Sequence, residues 1–512
     1  MIKFYITLLG ILIGEASVSQ SLDTAMIRRI KEEATAHSQL TLIAHQLTDV
    51  SGPRLTNSTG YRKASQWVVE KVKSWGLTRA HTEPWGEFGP GWTLERCYAA
   101  MRIPYYAPLI AHPVAWSMGT QGEIKAPVVV ISSLDLESIK QAGSTLKGKI
   151  VLFADSYSDL GMPFKPTAER MEDSALRKLG DTYMEDPKDL DLMAVYFAQR
   201  RKALEQLQAN GALAILFNGH GRDGTIYVDG YDYKKGMQLR IPQLVVSAED
   251  LLRMKRLVEG GTKVELELDI RTKLNLDDIR ASNVVAEIEG TDPSLKSQLV
   301  MLGGHLDSWH SGTGATDNAA GCTVALEALR ILRSLGVKPR RTIRLVLWGG
   351  EEQGLIGSYY YSKMHFGDPA TMKLLPEQEK VSAYYNLDNG SGRIRGIFLQ
   401  NNDAAGLIFR DWFTAIGDPS VQSITRGNTG ETDHFTLDAV GIPGFQFIQD
   451  PLEYETRTHH SNMDVYDHLL ISDLQQAAFI MAVFVYNTAM RDEMMPRKPL
   501  PAPGKWLFSD IL

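Results

Sequence analysis

Four largely apolar runs limit the folds open to this chain. They are QLVMLGG (298–304), TIRLVLW (342–348), SAYYNLD (382–388) and PGFQFI (443–448). Apolar residues occupy successive positions in each, as in Leu345–Trp348, so both faces of each strand are expected to be covered. A helical stretch, AAGCTVALEALRILRSLG (319–336), separates the first two and ends at Gly336. Together with SNVVAEIEG (282–290), this strand, loop and helix rhythm predicts an α/β fold, a largely parallel sheet flanked by helices on both faces. Sheets of this kind place ligands beyond the carboxyl ends of their strands.

Upstream, residues 22–47 carry a helical pattern, SGPRLTNSTG (51–60) is a loop, and YRKASQWVVEKVKSWGL (61–77) is an amphipathic helix closed by Gly76. Between about 118 and 282 the character changes to short β-rich pieces: VVVIS (128–132), GKIVLF (148–153), ALAILFN (212–218), QLVVS (243–247) and KVELELDI (263–270). Polar, Tyr-rich segments break them up, which predicts an inserted domain over 118–282. The α/β part is then discontinuous, residues 21–117 and 283–495, and 496–512 form a Pro-rich surface tail.

A chain of 512 residues is long enough for two or three folding units. Its net charge of −7, with no strongly basic stretch, argues against a nucleic-acid partner. Lys3, the apolar stretch FYITLLGILIG (4–14) and small residues Ala16 to Ser19 have the pattern of a signal peptide over residues 1–20. The expectation is a secreted or periplasmic protein without a membrane span. Cys97 and Cys322 are too few for a disulfide framework, and Cys322 sits in the apolar helix as a small buried thiol.

The residues just past each strand carry the chemistry. QLVMLGG leads into His305-Leu306-Asp307, and a Gly-rich loop presents Asp317 just before the helix. TIRLVLWGG leads into Glu351-Glu352, SAYYNL into Asp388, and PGFQFIQD into a loop holding His459-His460-Ser461-Asn462-Met463-Asp464. Imidazole and carboxylate without thiolate suit Zn²⁺. Five ligands suffice for two ions roughly 3.5–4 Å apart if one carboxylate bridges them. Adjacent glutamates fit such a centre, because one can bind metal while its neighbour serves as a base.

GGHLDSW, ATDNAAG, LVLWGGEEQGLIGS, YYNLDNG and HHSNMD resemble the five blocks of the co-catalytic zinc aminopeptidases (peptidase clan MH), in the carboxypeptidase Q-like branch. The resemblance runs from about residue 22 to 493. It implies an aminopeptidase-type domain with an inserted protease-associated (PA) domain, two Zn²⁺ per chain, short peptide substrates and a homodimer. It also implies that His305 and Asp388 bind one zinc, Glu352 and His460 the other, and that Asp317 bridges them. Glu351 becomes the general base, with Asp307 orienting the His305 ring and Asp464 a structural partner. Choosing His460 over His459 follows the family spacing from His-Ser to Asp464. Thr432, Asp433, His434 and Tyr454 lie where relatives shape the substrate pocket.

Two positions depart from the pattern. Relatives carry two acidic residues where this chain has Asp317-Asn318, which makes the cis peptide implied after the bridging residue less secure; His310 replaces an acidic residue. A single-zinc glutaminyl cyclase would keep the fold but would not need both a bridging Asp317 and a complete ligand set. A binding protein on a dead peptidase fold would have lost ligands, and none is lost here.

Overall fold

The computed structural model describes residues 22–154, 161, 164–179, 187–427 and 429–504. The signal-peptide stretch lies outside them. The main sheet has eight strands: β1 (Ala80–Glu87), β2 (Arg280–Ile288), β3 (Leu299–His305), β4 (Thr342–Trp348), β5 (Val381–Asn386), β6 (Ile394–Phe398), β7 (Ser423–Thr425) and β8 (Gly444–Gln449). Their spatial order is β1-β2-β4-β3-β5-β8-β6-β7. The centre, β4-β3-β5-β8, is parallel throughout. The flanking pairs β1-β2, β2-β4 and β6-β8 are antiparallel, so the sheet is mixed outside its core.

The central strands are buried except at Arg344 in β4, which is why their sequences are largely apolar. Two helices cover one face. Ala320–Ser334 buries every residue from Ala320 to Leu332, and Ile471–Met490 is almost as enclosed. Phe409, Phe445, Phe447 and Phe484 gather around Tyr385 with ring centroids 5.7–6.3 Å from its own. Gly321 permits one close approach: a Cβ there would meet the Leu387 carbonyl oxygen at 2.0 Å. That approach sets the helix start against the end of β5, where Asp388 follows.

A second eight-stranded sheet is built from residues 91–275, with cores of its own. Its longest strands, Gly91–Ile103 and Glu265–Asn275, pair antiparallel, so the sheet begins upstream of residue 118. The 22–47 pattern divides into Thr24–Ala36 and Leu40–His45, because His37 to Gln39 leave the helix. The start of the tail is not a loose extension. Met495 is buried, and Arg497 donates to the carbonyls of Gly441, Gln378 and Val381. Lys498 pairs with Asp438 at 2.8 Å. Both cysteines are free; Cys322 is buried and donates to the His305 carbonyl at 2.9 Å.

Candidate metal centre

The carboxyl ends of the parallel strands converge. His305 closes β3, Asp388 lies two residues past β5, and Glu351-Glu352 follow β4 through two glycines. Asp317 sits in a non-helical turn (φ −129°, ψ 90°) before the helix Ala320–Ser334, and its peptide to Asn318 is cis. His459 and His460 come from the loop after β8.

Two groups of donors share Asp317. Its Oδ1 lies 3.2 Å from His305 Nε2, which is 3.0 Å from Asp388 Oδ1. Its Oδ2 lies 3.3 Å from His460 Nε2, which is 3.0 Å from Glu352 Oε2. His459 stands farther off, 3.8 Å from Asp317 Oδ2, so His460 is the nearer partner of the second group. The ligating atoms of Glu351, His305 and Asp388 lie within 4.8 Å of one another. The shared carboxylate is the feature that five ligands need in order to serve two ions.

The electrostatics favour cations here. Burial pushes the Glu351 carboxyl well above its ordinary range, with Asp388, Asp433 and Glu352 adding repulsion against the pull of His305. Burial also raises Glu352, and Asp317 adds to it. For Asp317, burial acts upward, but the hydrogen bond to His305 and the nearby imidazoles hold it below the carboxylate range. Its Oδ2 is buried without a hydrogen-bond partner, an unmet acceptor facing His460. A buried, carboxylate-rich cluster with two imidazoles fits a divalent, borderline ion. The Cys322 thiol, pushed up to about 12 by burial, adds no thiolate to the set.

The surrounding contacts fix these groups. Asp307 meets the His305 ring through its backbone carbonyl, 3.0 Å from Nδ1, while its carboxylate stands 3.8 Å away. That carboxylate instead accepts from Thr56 Oγ1 at 2.8 Å and from the backbone N–H groups of Glu351 and Glu352 at 3.2 and 3.3 Å. Asp307 therefore positions the glutamate pair as well as the imidazole. Asp464 accepts from Thr316 N, Thr316 Oγ1 and Asp317 N at 2.6, 2.8 and 3.1 Å, and so holds the turn that carries Asp317. Asn318 donates to the Leu387 carbonyl and accepts from Gly321 N–H. An ionised Asp at 318 could not make the first of these bonds, which is the physical content of that departure.

The four residues expected at the substrate pocket divide. Thr432 accepts from Asn386 at 2.8 Å, and His434 Nε2 is engaged by Gln400 and the Thr429 carbonyl. Asp433 is fully buried, and its charge acts on Glu351. The Tyr454 ring lies 4.7 Å from the His459 ring, tilted by 33°, beside the centre. His310 faces away from the donors, with Nε2 2.7 Å from the Pro113 carbonyl, and burial depresses it to about 3.

Arg54 carries no periodic or motif signal in the sequence, yet it ties the site's loops together. Fully buried, it donates to the carbonyls of Leu306, Leu47, Thr313 and Gly314 at 2.7, 2.9, 2.6 and 2.7 Å. Replacing it with Met strands four buried acceptors. Arg54→Met is expected to cost about 3–5 kcal/mol, the scale for losing one side of a buried charged network. Denaturant unfolding of the protein measures it, and a loss under about 1 kcal/mol contradicts this role.

Residues 283–485 match the description "Peptidase family M28". Carboxypeptidase Q from Bos taurus is 28% identical over 452 residues, covering 88% of this chain and 85% of that protein. Aminopeptidase YwaD of Bacillus subtilis is 29% identical over 265 residues, 49% of this chain and 55% of its own. The crystal structure of a peptidase M28 precursor from Shewanella amazonensis superposes with a TM-score of 0.68 at 25% identity, covering 94% of this chain and 99% of that one. A zinc aminopeptidase from Bacillus subtilis shares the fold, with a TM-score of 0.56 at 19% identity, covering 88% and 95%. With strand-end carboxylates and imidazoles gathered about a shared aspartate, these likenesses support a zinc metallopeptidase hydrolase whose residues 283–485 resemble peptidase family M28.

Proposed function

We propose that the protein is an exported di-zinc exopeptidase that hydrolyses dipeptides or other short peptides. The observation that carries this reading is the shared carboxylate: the two oxygens of Asp317 face separate imidazole–carboxylate groups, at 3.2 and 3.3 Å. His305 and Asp388 would hold one ion, Glu352 and His460 the other, with Asp317 between them. When bound, the ions supply Lewis acidity toward the peptide carbonyl and an attacking water. Glu351, placed beside His305 and Asp388, takes the proton of that water and delivers it to the leaving amine nitrogen. Asp307 keeps Glu351 and Glu352 in register for these separate tasks through their backbone N–H groups.

Export rests on the signal-peptide pattern of residues 1–20, and no helix among the described residues is long and apolar enough to cross a membrane. The second sheet, with its separate cores, supports a PA-like insertion that begins nearer residue 91 than residue 118. The homodimer rests on the family resemblance alone.

Metal analysis of the purified protein tests the centre. About two zinc ions per chain are expected, with loss of peptide hydrolysis on chelation and recovery on adding zinc back. One ion per chain would favour a mononuclear enzyme, and none would remove the metallopeptidase chemistry.

A further inference from the structure

Beside His460 a cavity of about 310 Å³ opens toward the second sheet. His460 forms one wall; Tyr231, Phe197, Phe217 and Arg200 form others. The aromatic rings run outward from the metal centre in a connected series. Trp309 lies 6.0 Å from the His460 ring, Tyr231 lies 6.3 Å from Trp309, and Phe197 lies 4.1 Å from Tyr231. Arg200, one helical turn beyond Phe197 on the helix Pro187–Ala209, places its guanidinium 4.6 Å over the Phe217 ring.

Arg200 differs from its neighbour. Arg201 pairs with Asp232 at 2.7 Å and with Glu205 at 3.1 Å. Among the described residues Arg200 makes no ion pair or hydrogen bond, and its guanidinium lies over the Phe217 face. Asp229 also lines the cavity but forms no pair with it. Burial raises the Tyr231 hydroxyl, Asp229 and Glu352 of the metal centre add to the rise, and Arg200 opposes it, so Tyr231 senses both the metal centre and the cation. A half-buried cation with free donors, walled by aromatic rings, suits an apolar group that carries an anion. A free cation would instead be repelled.

The geometry points to this cavity as the subsite for an aromatic residue with a free α-carboxylate: the rings receive its side chain and Arg200 its carboxylate. This rests on the peptidase reading of the adjoining centre. One residue spans only about 3.3–3.6 Å of backbone, and His460 belongs both to the cavity and to the metal-binding groups. A residue lodged there adjoins the scissile bond, and the enzyme prefers short peptides that present an aromatic residue with an unblocked carboxyl end.

Calorimetry on the zinc-loaded, full-length protein, comparing wild type, Arg200→Met and Arg200→Lys, tests this with L-phenylalanine, L-phenylalaninamide and L-alanine. Wild type should bind phenylalanine at least about 10-fold more tightly than its amide, the scale of a charge-assisted hydrogen bond. Phenylalanine should also exceed alanine by about 10-fold or more, for the buried ring. Arg200→Met should bring acid and amide within about 2-fold of each other without weakening the amide, and Lys should restore part of the difference. An acid-to-amide ratio unchanged in Arg200→Met overturns the anchor, and alanine binding as well as phenylalanine overturns the aromatic pocket. Hydrolysis of Ala-Phe and Ala-Phe-amide by the same proteins separates the two levels. No cleavage of any peptide by wild type sinks the peptidase reading, while cleavage with an unchanged acid preference in Arg200→Met sinks the subsite alone.

Discussion

Glu351→Gln should leave zinc content and peptide affinity near wild type while cutting turnover by about 10²- to 10⁴-fold, the range for losing a general acid–base group. The substitution keeps the shape of the side chain. The loop also keeps its anchor, because Asp307 holds residue 351 through the backbone N–H at 3.2 Å, independent of the side chain. What is lost is the ability to accept a proton. The buried Glu351 carboxyl lies where Asp388, Asp433 and Glu352 all disfavour its charge, so it holds a proton more readily than an exposed glutamate. That is the property required of a group that must take a proton from water and pass it on. The adjacent glutamate provides the control. Glu352 turns its Oε2 to His460 at 3.0 Å and its Oε1 to the Trp309 N–H at 3.2 Å, so Glu352→Gln should lose zinc together with activity. Steady-state kinetics with parallel metal analysis decides between them. Turnover of Glu351→Gln within about 3-fold of wild type would exclude it as the proton carrier.

The readable parts of this chain are those where burial dictates composition. Strands enclosed on both faces are largely apolar, their few polar side chains paired as Asn386 is with Gln446, and β3, β4, β5 and β8 lie within a residue or two of the runs that announced them. The ends of those runs were equally legible, since a strand leaving the core must turn and an ionisable residue there stands out. Edge strands had no such signature. β1 is broken by Pro84 and Gly86 and is half-exposed along its length, while β7 spans three residues. The helix Pro187–Ala209 mixes charged and aromatic residues without a clear apolar stripe, so periodicity passed over it, and with it Phe197 and Arg200. Contacts across distant segments were the least accessible. That Arg54 gathers four carbonyls, that Asp307 serves two glutamate N–H groups, and that Trp309 and Tyr231 extend the site toward the second sheet all depend on the folded path of the chain.

Asp317→Ala should abolish occupancy of both metal positions, although it removes only one side chain. Each group of donors includes one oxygen of this carboxylate, at 3.2 and 3.3 Å from its imidazole, so the substitution takes a ligand from both at once. The turn itself should persist. Asp464 holds it through the N–H groups of residues 316 and 317 and through the Thr316 hydroxyl, none of which needs the Asp317 side chain. The size of the stability change then depends on the ions. In the metal-free protein, the substitution relieves the repulsion that Asp317 exerts on Glu352 but also removes the hydrogen bond to His305 and the attraction to the imidazoles that hold Asp317 below the carboxylate range, so the variant should be no more stable than wild type. In the loaded protein, an ion bound only by the folded state stabilises it by about 4 kcal/mol at 1,000 times its dissociation constant. Wild type should therefore unfold at clearly lower denaturant after chelation, whereas Asp317→Ala should show almost the same midpoint with and without chelator. Atomic absorption and denaturant titrations in zinc and in chelator provide both readings. Two ions retained by Asp317→Ala, or a chelator shift as large as that of wild type, would mean that the two donor groups do not depend on a common carboxylate.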